Sequence, residues 1–200
     1  MPAAEFSWPI QISDGEIELR PIRLRDKPVW GQVRRINRDW LSPWEATLPI
    51  VQPGAGSDAG ANKIHSFYSM IRFNNREARA LRSLSLGIWI KDGKSSRFIG
   101  QITLGGLIFG AYRGGHIGYW IDQRYAGRGL MTRSVRLLTE YAFDVLQLHR
   151  IEINMRPENE ASQKVAKNAG YSLEGSRKNY LHIDGAWRDH LSFVRENPKI

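Results

Sequence analysis

The order of apolar and polar residues along the chain predicts a mixture of strands and helices. Apolar runs, several of them alternating with polar residues, predict strands at 16–24, 84–90, 98–107, 117–121 and 150–155, and two more within 171–194 around Asp184-Gly185. Helical spacing of apolar residues predicts helices at about 26–37, 64–79, 130–148 and 160–168. This order predicts an α+β fold with a mixed, mostly antiparallel, seven-stranded sheet flanked by about four helices.

A glycine-rich turn joins the strand that ends at Ile121 to the helix that begins near Leu130. Its glycines, Gly127 and Gly129, let backbone amides approach a ligand because no Cβ stands in the way. The first amides of the helix have no internal partners and lie at the positive end of its dipole, which favours a phosphate or pyrophosphate. Taken alone, such a turn favours the simpler interpretation of a helix that only needs a flexible start.

Composition narrows the classes of function. The chain has 200 residues, 42% of them hydrophobic, which favours one domain over residues 1–200. It has no cysteine, which excludes disulfides, thiolate zinc sites and a cysteine nucleophile, and we expect no metal site. The net charge of +9 favours polyanionic partners such as nucleic acid, the ribosome or a phosphate-rich cofactor.

The same charge is scattered, so we expect no specific nucleic-acid readout. The first residues lack the pattern of a signal peptide, and no window is apolar enough to span a bilayer. We therefore expect a cytoplasmic protein without a membrane partner. The oligomeric state, monomer or dimer, stays open.

Two early segments, the stretch 49–62 and the pair Trp40 and Trp44, each leave a question about ligand contact open. Residues 49–62 are rich in Gly, Pro, Ala and Ser and predict a mobile loop, and whether 52–62 close over a cofactor is left open. Trp40 and Trp44 flank a Ser-Pro break, where tryptophans usually pack on the core. Contact with the substrate is the alternative role for these two tryptophans.

Two motifs resemble the GNAT superfamily of acyl-CoA N-acyltransferases. The run 124–129, Arg-Tyr-Ala-Gly-Arg-Gly, is similar to its pyrophosphate signature, and Asn159-Glu160-Ala161-Ser162 followed by Gly170-Tyr171 is similar to its coenzyme A segment. The resemblance implies a core at about 16–195, a splay between the fourth and fifth strands, and acetyl-CoA as cofactor. It also implies a set of cofactor-binding residues: Ile121, Arg124, Gly127, Arg128, Gly129, Leu130, Met131, Thr132, Asn159 and Ser162.

A third stretch, 174–190, resembles the RimJ/RimL branch, the ribosomal-protein N-terminal acetyltransferases, whose early Asn and Leu-x-Pro-Trp segment is similar to Asn37 and 41–44 here. This resemblance implies that the acceptor is the N-terminal α-amine of a protein, specifically a ribosomal one. Trp40, Trp44 and Tyr180 are the candidates for contact with that substrate.

The catalytic residues are less fully implied. The thiolate-protonating tyrosine of many GNAT enzymes is absent from 164–167, and the resemblance to the RimL-like branch implies Ser162 as the acid, while the glutamate assigned there as base falls on Leu181. Candidate bases are therefore His116, Glu152 and His182, since a histidine titrates near neutrality and an α-amine needs only a modest base.

Without a thiol nucleophile we expect direct attack of the amine in a ternary complex, with backbone amides near Ile121 stabilising the oxyanion. Two alternatives remain open. In the first, the acceptor is a small-molecule amine or a lysine side chain. In the second, the protein is not an enzyme but senses acyl-CoA or binds the ribosome without turnover.

Overall fold

An eight-stranded mixed sheet organises the computed structural model, which describes residues 6–49, 66–93 and 95–200. The strand order is β1-β2-β3-β4-β5-β6-β8-β7, and only β5 and β6 pair in parallel within these residues. The strands are β1 (Ile12–Ser13), β2 (Ile17–Arg20), β3 (Leu84–Asp92), β4 (Ser95–Ile108), β5 (Gly114–Ile121), β6 (Arg150–Met155), β7 (Ser172–Ile183) and β8 (Ala186–Glu196).

Five α-helices surround the sheet: α1 (Lys27–Ile36), α2 (Arg38–Leu41), α3 (Phe67–Arg79), α4 (Leu130–Asp144) and α5 (Glu160–Asn168). Short 3-10 turns lie at Leu24–Asp26, Ser42–Trp44 and Gln123–Tyr125. The predicted mixed, mostly antiparallel α+β architecture is confirmed. The sheet has one strand more than predicted because the two-residue β1 precedes the first predicted strand, and the four-residue α2 is the additional helix.

The predicted boundaries hold best where a residue enforces them. The first predicted strand ends early, at Arg20, because Pro21 has no amide to donate to the sheet. Helix α5 begins after Asn159, whose side chain accepts a hydrogen bond from the Ser162 amide, and Gly170 follows its end with a left-handed φ of +90°. The predicted mobile loop beyond Pro49 and the predicted helix start at Ile64 lie outside the described residues.

The helices cover the two faces of the sheet. The larger apolar cluster packs α4 and α5 against one face and includes Val135, Leu138 and Ala166. The smaller cluster, on the other face, joins Val33 of α1 and Ile71 of α3 to aromatic residues of the sheet. We call these the α4/α5 face and the α1/α3 face.

The sheet opens between β5 and β6. These parallel strands pair over Gly114–His116 and Arg150–Glu152 only, so the remainder of each strand has no partner across this gap. The splay expected between the fourth and fifth predicted strands is confirmed at this position. It leaves a gap in the sheet beside Gly118 and Asn154.

The C-terminal end of β5, at Trp120 and Ile121, is held by a close backbone contact with β4. A Cβ placed on Gly100 of β4 would lie 2.3 Å from the Trp120 carbonyl oxygen and 3.0 Å from the Ile121 Cα. The two strands therefore approach each other in a way that only glycine allows.

We predict that Gly100→Ala lowers the free energy of unfolding by about 1–3 kcal/mol, the usual cost of forcing extra volume into a packed site. The control is Gly175→Ala in β7, where nothing lies within 4 Å of the added methyl group. Chemical denaturation of both variants measures the difference, and equal stability of the two variants would contradict the close contact.

Candidate active site

The glycine-rich turn has the backbone geometry that its sequence predicts. Gly127 and Gly129 both have a φ of +74°, and Gly129 is the N-cap residue of α4. Nothing lies within 4 Å of a Cβ built on either glycine, so the space in front of the turn is open. The first amides of α4 have no helical partners and lie beside this space, in an arrangement that suits a pyrophosphate.

A buried carboxylate holds the turn to the sheet. Asp122 is fully buried, and its side chain accepts hydrogen bonds from the Arg124 amide and guanidinium, the latter at 2.6 Å from Nη2. Burial opposes its ionisation, but these hydrogen bonds and the positive charge of Arg124 hold the pKa of Asp122 below its ordinary value. Asp122 thus holds the Arg124 side chain in place, while the outer surface of that side chain stays exposed.

The other predicted cofactor residues divide into exposed and buried groups. Arg128 is exposed and lies over the Tyr125 ring, with 5.2 Å from its guanidinium carbon to the ring centre. Leu130 and Met131 are buried in the core, so only their backbone amides can face a ligand. Thr132 and Ile121 are partly exposed.

A cavity of about 210 Å³ occupies the gap between β5 and β6. Its lining comes from both strands, the start of α5, the β7–β8 hairpin and the segment around the 3-10 turn Ser42–Trp44. These residues are Trp44, Ala46, Ile117, Gly118, Tyr119, Ile153, Asn154, Met155, Arg156, Asn159, Ser162, Leu181, Ile183 and His190. Because side chains alternate along a strand, these residues belong to both faces of the sheet. The cavity therefore connects the α4/α5 face with the α1/α3 face.

Two hydroxyl groups meet on the α4/α5 face of the cavity. The Tyr119 hydroxyl lies 2.8 Å from the Ser162 Oγ and also donates to the Ser162 carbonyl at 3.3 Å. Burial raises the pKa of Tyr119, and its hydrogen bond to Ser162 offsets only part of that effect. Tyr119 therefore stays protonated near neutral pH and fixes the position of the serine hydroxyl. The sequence analysis predicted Ser162 but not Tyr119.

A polar group lies on the α1/α3 face of the same cavity. Asn154 accepts a hydrogen bond of 2.7 Å from the Ser192 hydroxyl. His190 lies two residues before Ser192 in β8, on the same side of the strand. Asn154 and His190 line the cavity, and His190 is only 3% exposed. Neither was predicted from the sequence, because their proximity depends on the pairing of β6 with β8.

The three predicted bases lie outside the lining of this cavity. The His116 ring packs over Gly105 and Gly106, and burial lowers the pKa of His116, with Glu152 opposing that effect. His182 contacts Thr47 at 2.8 Å and packs edge-on against Trp187.

Glu152 is held in an ion-pair network with Arg150 and Arg177, whose Nη2 lies 2.7 Å from its carboxylate. Burial opposes ionisation of Glu152, but hydrogen bonds from Asn154 and the charge of Arg177 lower its pKa overall. A carboxylate that is this well neutralised is a weak base.

The predicted substrate residues are placed unequally. Trp44 lines the cavity, and the Arg156 guanidinium lies over its ring at 5.4 Å. Tyr180 does not line the cavity but makes an edge contact with His190, which does, at 5.6 Å between ring centres. Trp40 is partly buried and does not belong to the lining.

The described residues contain neither a metal cluster nor a membrane-spanning helix. No group of three or more His, Asp or Glu side chains there is placed to hold a metal ion. Among the helices of 6–49, 66–93 and 95–200, none has the length and hydropathy to cross a membrane.

We predict that Gly129→Val abolishes measurable binding of coenzyme A to the glycine turn. Valine at a φ of +74° is strained, and its side chain fills the open space in front of the amides. The matched control is Gly110→Val in the β4–β5 loop, where φ is +87° and the space is equally open. Calorimetry of both variants separates backbone strain from loss of the site, and unchanged affinity for Gly129→Val would contradict the assignment.

Comparison with known proteins agrees with this geometry. Residues 16–172 match the family described as acetyltransferase (GNAT) domain. The structure superposes on Mycobacterium smegmatis RimJ in complex with CoA-disulfide with a TM-score of 0.81 and 33% identity, over 96% of this chain and 90% of that chain.

Two sequence relatives extend the comparison. The Escherichia coli ribosomal protein uS5 alanine N-acetyltransferase is 26% identical over 94% of this chain and 92% of its own length. The Bacillus subtilis protein YjcK is 41% identical over 54% of this chain, a match that spans 60% of that relative. Since the family match includes the glycine turn, the diverging strands and α5, the chain belongs to the GNAT family of acetyl-CoA-dependent N-acetyltransferases, and RimJ is among its relatives.

Proposed function

We propose that this protein transfers the acetyl group of acetyl-CoA to the N-terminal α-amine of a ribosomal protein, by direct attack in a ternary complex in the cytoplasm. We further propose that residues 1–200 form one domain with its core at about 16–195. The observation that carries the proposal is the cavity between β5 and β6, which is lined from both faces of the sheet. A passage of this kind lets donor and acceptor enter from opposite sides.

The donor side is the α4/α5 face. There the open glycine turn, the exposed surface of Arg124 and the side chain of Asn159 suit the phosphates and amide arm of coenzyme A. The Ser162 hydroxyl marks where the thioester sulfur would lie. When bound, acetyl-CoA supplies an activated acyl group, so the protein itself needs no covalent nucleophile.

The acceptor side is the α1/α3 face. Trp44 and Arg156 line the cavity there together with Asn154 and His190. The cavity as a whole has a volume of about 210 Å³, which the donor and acceptor sides share, so the acceptor side is narrow. This size favours a flexible chain end over an amine on a folded surface.

The choice of a ribosomal protein rests on relatives and charge. RimJ and the uS5 alanine N-acetyltransferase match this chain over nine tenths of its length or more. The net charge of +9 favours approach to a polyanionic particle, although a positive field is not specific to the ribosome.

The side chains divide the chemical work between proton transfer and orientation. Ser162 is placed to protonate the leaving sulfur, and Tyr119 holds its hydroxyl in position at 2.8 Å. Backbone amides of β5 beyond His116, freed from pairing with β6, stabilise the developing oxyanion. An α-amine has a pKa of about 8, so orientation supplies much of the rate and a weak base suffices.

We predict release of free coenzyme A with peptides that carry the first residues of ribosomal proteins, and a mass increase of one acetyl group at their α-amine. The measurement compares such peptides with the same peptides blocked at the N-terminus, with lysine side chains and with small polyamines. Faster acetylation of small amines than of any peptide would overturn the acceptor assignment, and no release with any amine would overturn turnover itself.

We predict that Ser162→Ala lowers kcat by about 10²-fold or more, the usual contribution of a positioned general acid, with little change in coenzyme A affinity. Ser172→Ala is the control, because Ser172 is exposed on β7 and lies outside the cavity lining. A kcat within threefold of the parent would show that Ser162 only caps the helix or binds the cofactor.

A further inference from the structure

We propose that His190 is the general base that takes the proton of the attacking amine. This assignment rests on the proposed function and gives a role to a residue that was not among the candidate site residues of the sequence. The tautomer of the ring, its place on the sheet and its charged neighbours support it.

The hydrogen bond of the His190 ring determines its tautomer. The Nδ1 atom lies 3.0 Å from the Arg188 carbonyl oxygen, which can only accept, so Nδ1 carries the proton. In the neutral ring Nε2 is then a proton acceptor, and among the described residues the ring's hydrogen bond is the one made by Nδ1. The side chain is 3% exposed and lines the cavity, so its accessible surface faces that space.

The position of His190 complements that of Ser162. Asn154 pairs with Ser192, and His190 lies two residues along β8 from Ser192, which places its side chain on the α1/α3 face. Ser162 belongs to α5 on the opposite face and lines the same cavity. A base on the acceptor side and an acid on the donor side can act on one reacting centre between them.

The surroundings keep the ring neutral at physiological pH. Burial lowers the pKa of His190 and outweighs the hydrogen bond to the Arg188 carbonyl, which acts in the opposite direction. Among the charged groups, Arg156 lowers the pKa while Asp189 and Glu158 raise it. Two residues of β7 neighbour His190. The Tyr180 ring makes an edge contact with the His190 ring, and Arg177 is opposite His190 in the pairing of β7 with β8.

The transfer balances with His190 in this role. An uncharged amine forms the N–C bond while the carbonyl oxygen takes up the π electrons as the oxyanion; when the carbonyl re-forms, the C–S bond breaks and the sulfur leaves with the bonding electron pair. The Nε2 atom of His190 takes the proton lost by nitrogen, and Ser162 donates the proton gained by sulfur. Solvent exchange then restores the neutral imidazole and the serine hydroxyl.

The experiment compares His190→Gln with the matched control His149→Gln. Gln keeps a polar side chain but does not act as a base near neutral pH, and His149 immediately precedes β6, outside the cavity lining. We expect kcat to fall by about 10²- to 10⁴-fold in His190→Gln and to stay within threefold in the control. Coenzyme A affinity, measured by calorimetry, should be unchanged in both variants.

The pH profile separates base catalysis from packing. Between the pKa of His190 and that of the amine, log kcat/KM of the parent should rise with a slope of 1 because the amine must be neutral, and below the lowered pKa of His190 the slope should become 2. In His190→Gln the slope should remain 1 throughout. A parent profile that keeps slope 1 over the whole pH range in which the protein stays folded, or a variant within threefold of the parent, would overturn the assignment.

A ¹⁵N spectrum of the parent protein tests the assignment without turnover and without a folded variant. It should show the neutral Nδ1–H tautomer at His190 at pH 7, and an Nε2–H tautomer or a charged ring would overturn the proposal. If the parent acetylates peptides but His190→Gln is equally active, only this inference fails. If the parent acetylates no amine, the proposed function fails first and this inference with it.

Discussion

The pairing of β5 with β6 stops after His116 and Glu152, and the site depends on that interruption. A parallel sheet that stayed closed would bury its backbone groups and separate its two faces completely. Here the unpaired halves of both strands border a cavity that residues of both faces line. The donor and acceptor sides of the reaction can therefore meet across a single sheet without a domain interface.

Several contacts hold this gap in a defined shape. The near contact of Gly100 with Trp120 and Ile121 fixes β5 against β4 on one side. On the other side, the Ser192 hydroxyl binds Asn154 and secures β6 against β8. Because closely packed interiors resist small displacements, these contacts keep the reacting groups at fixed separations, which is the orientation effect that amine attack requires.

The sequence allowed the fold and the backbone of the glycine turn to be predicted because their signals are local. The glycine turn and the alternation of apolar and polar residues along the strands depend on residues close together in the chain, and both were found where expected. Tyr119 and His190 gave no such signal, since their roles depend on pairings across the sheet. Glu152 was a candidate base from the sequence, but in the fold Arg150 and Arg177 neutralise its charge.

The central claim is that donor and acceptor enter the gap from opposite faces of the sheet. The most direct test is a crystal structure with a bisubstrate compound in which coenzyme A is joined through its sulfur and a short linker to a peptide N-terminus. The account predicts that the linkage lies between Tyr119 and Asn154, with the pantetheine arm beside Ser162 and the peptide beside Trp44 and His190. A complex in which both parts lie on the same face of the sheet would contradict it.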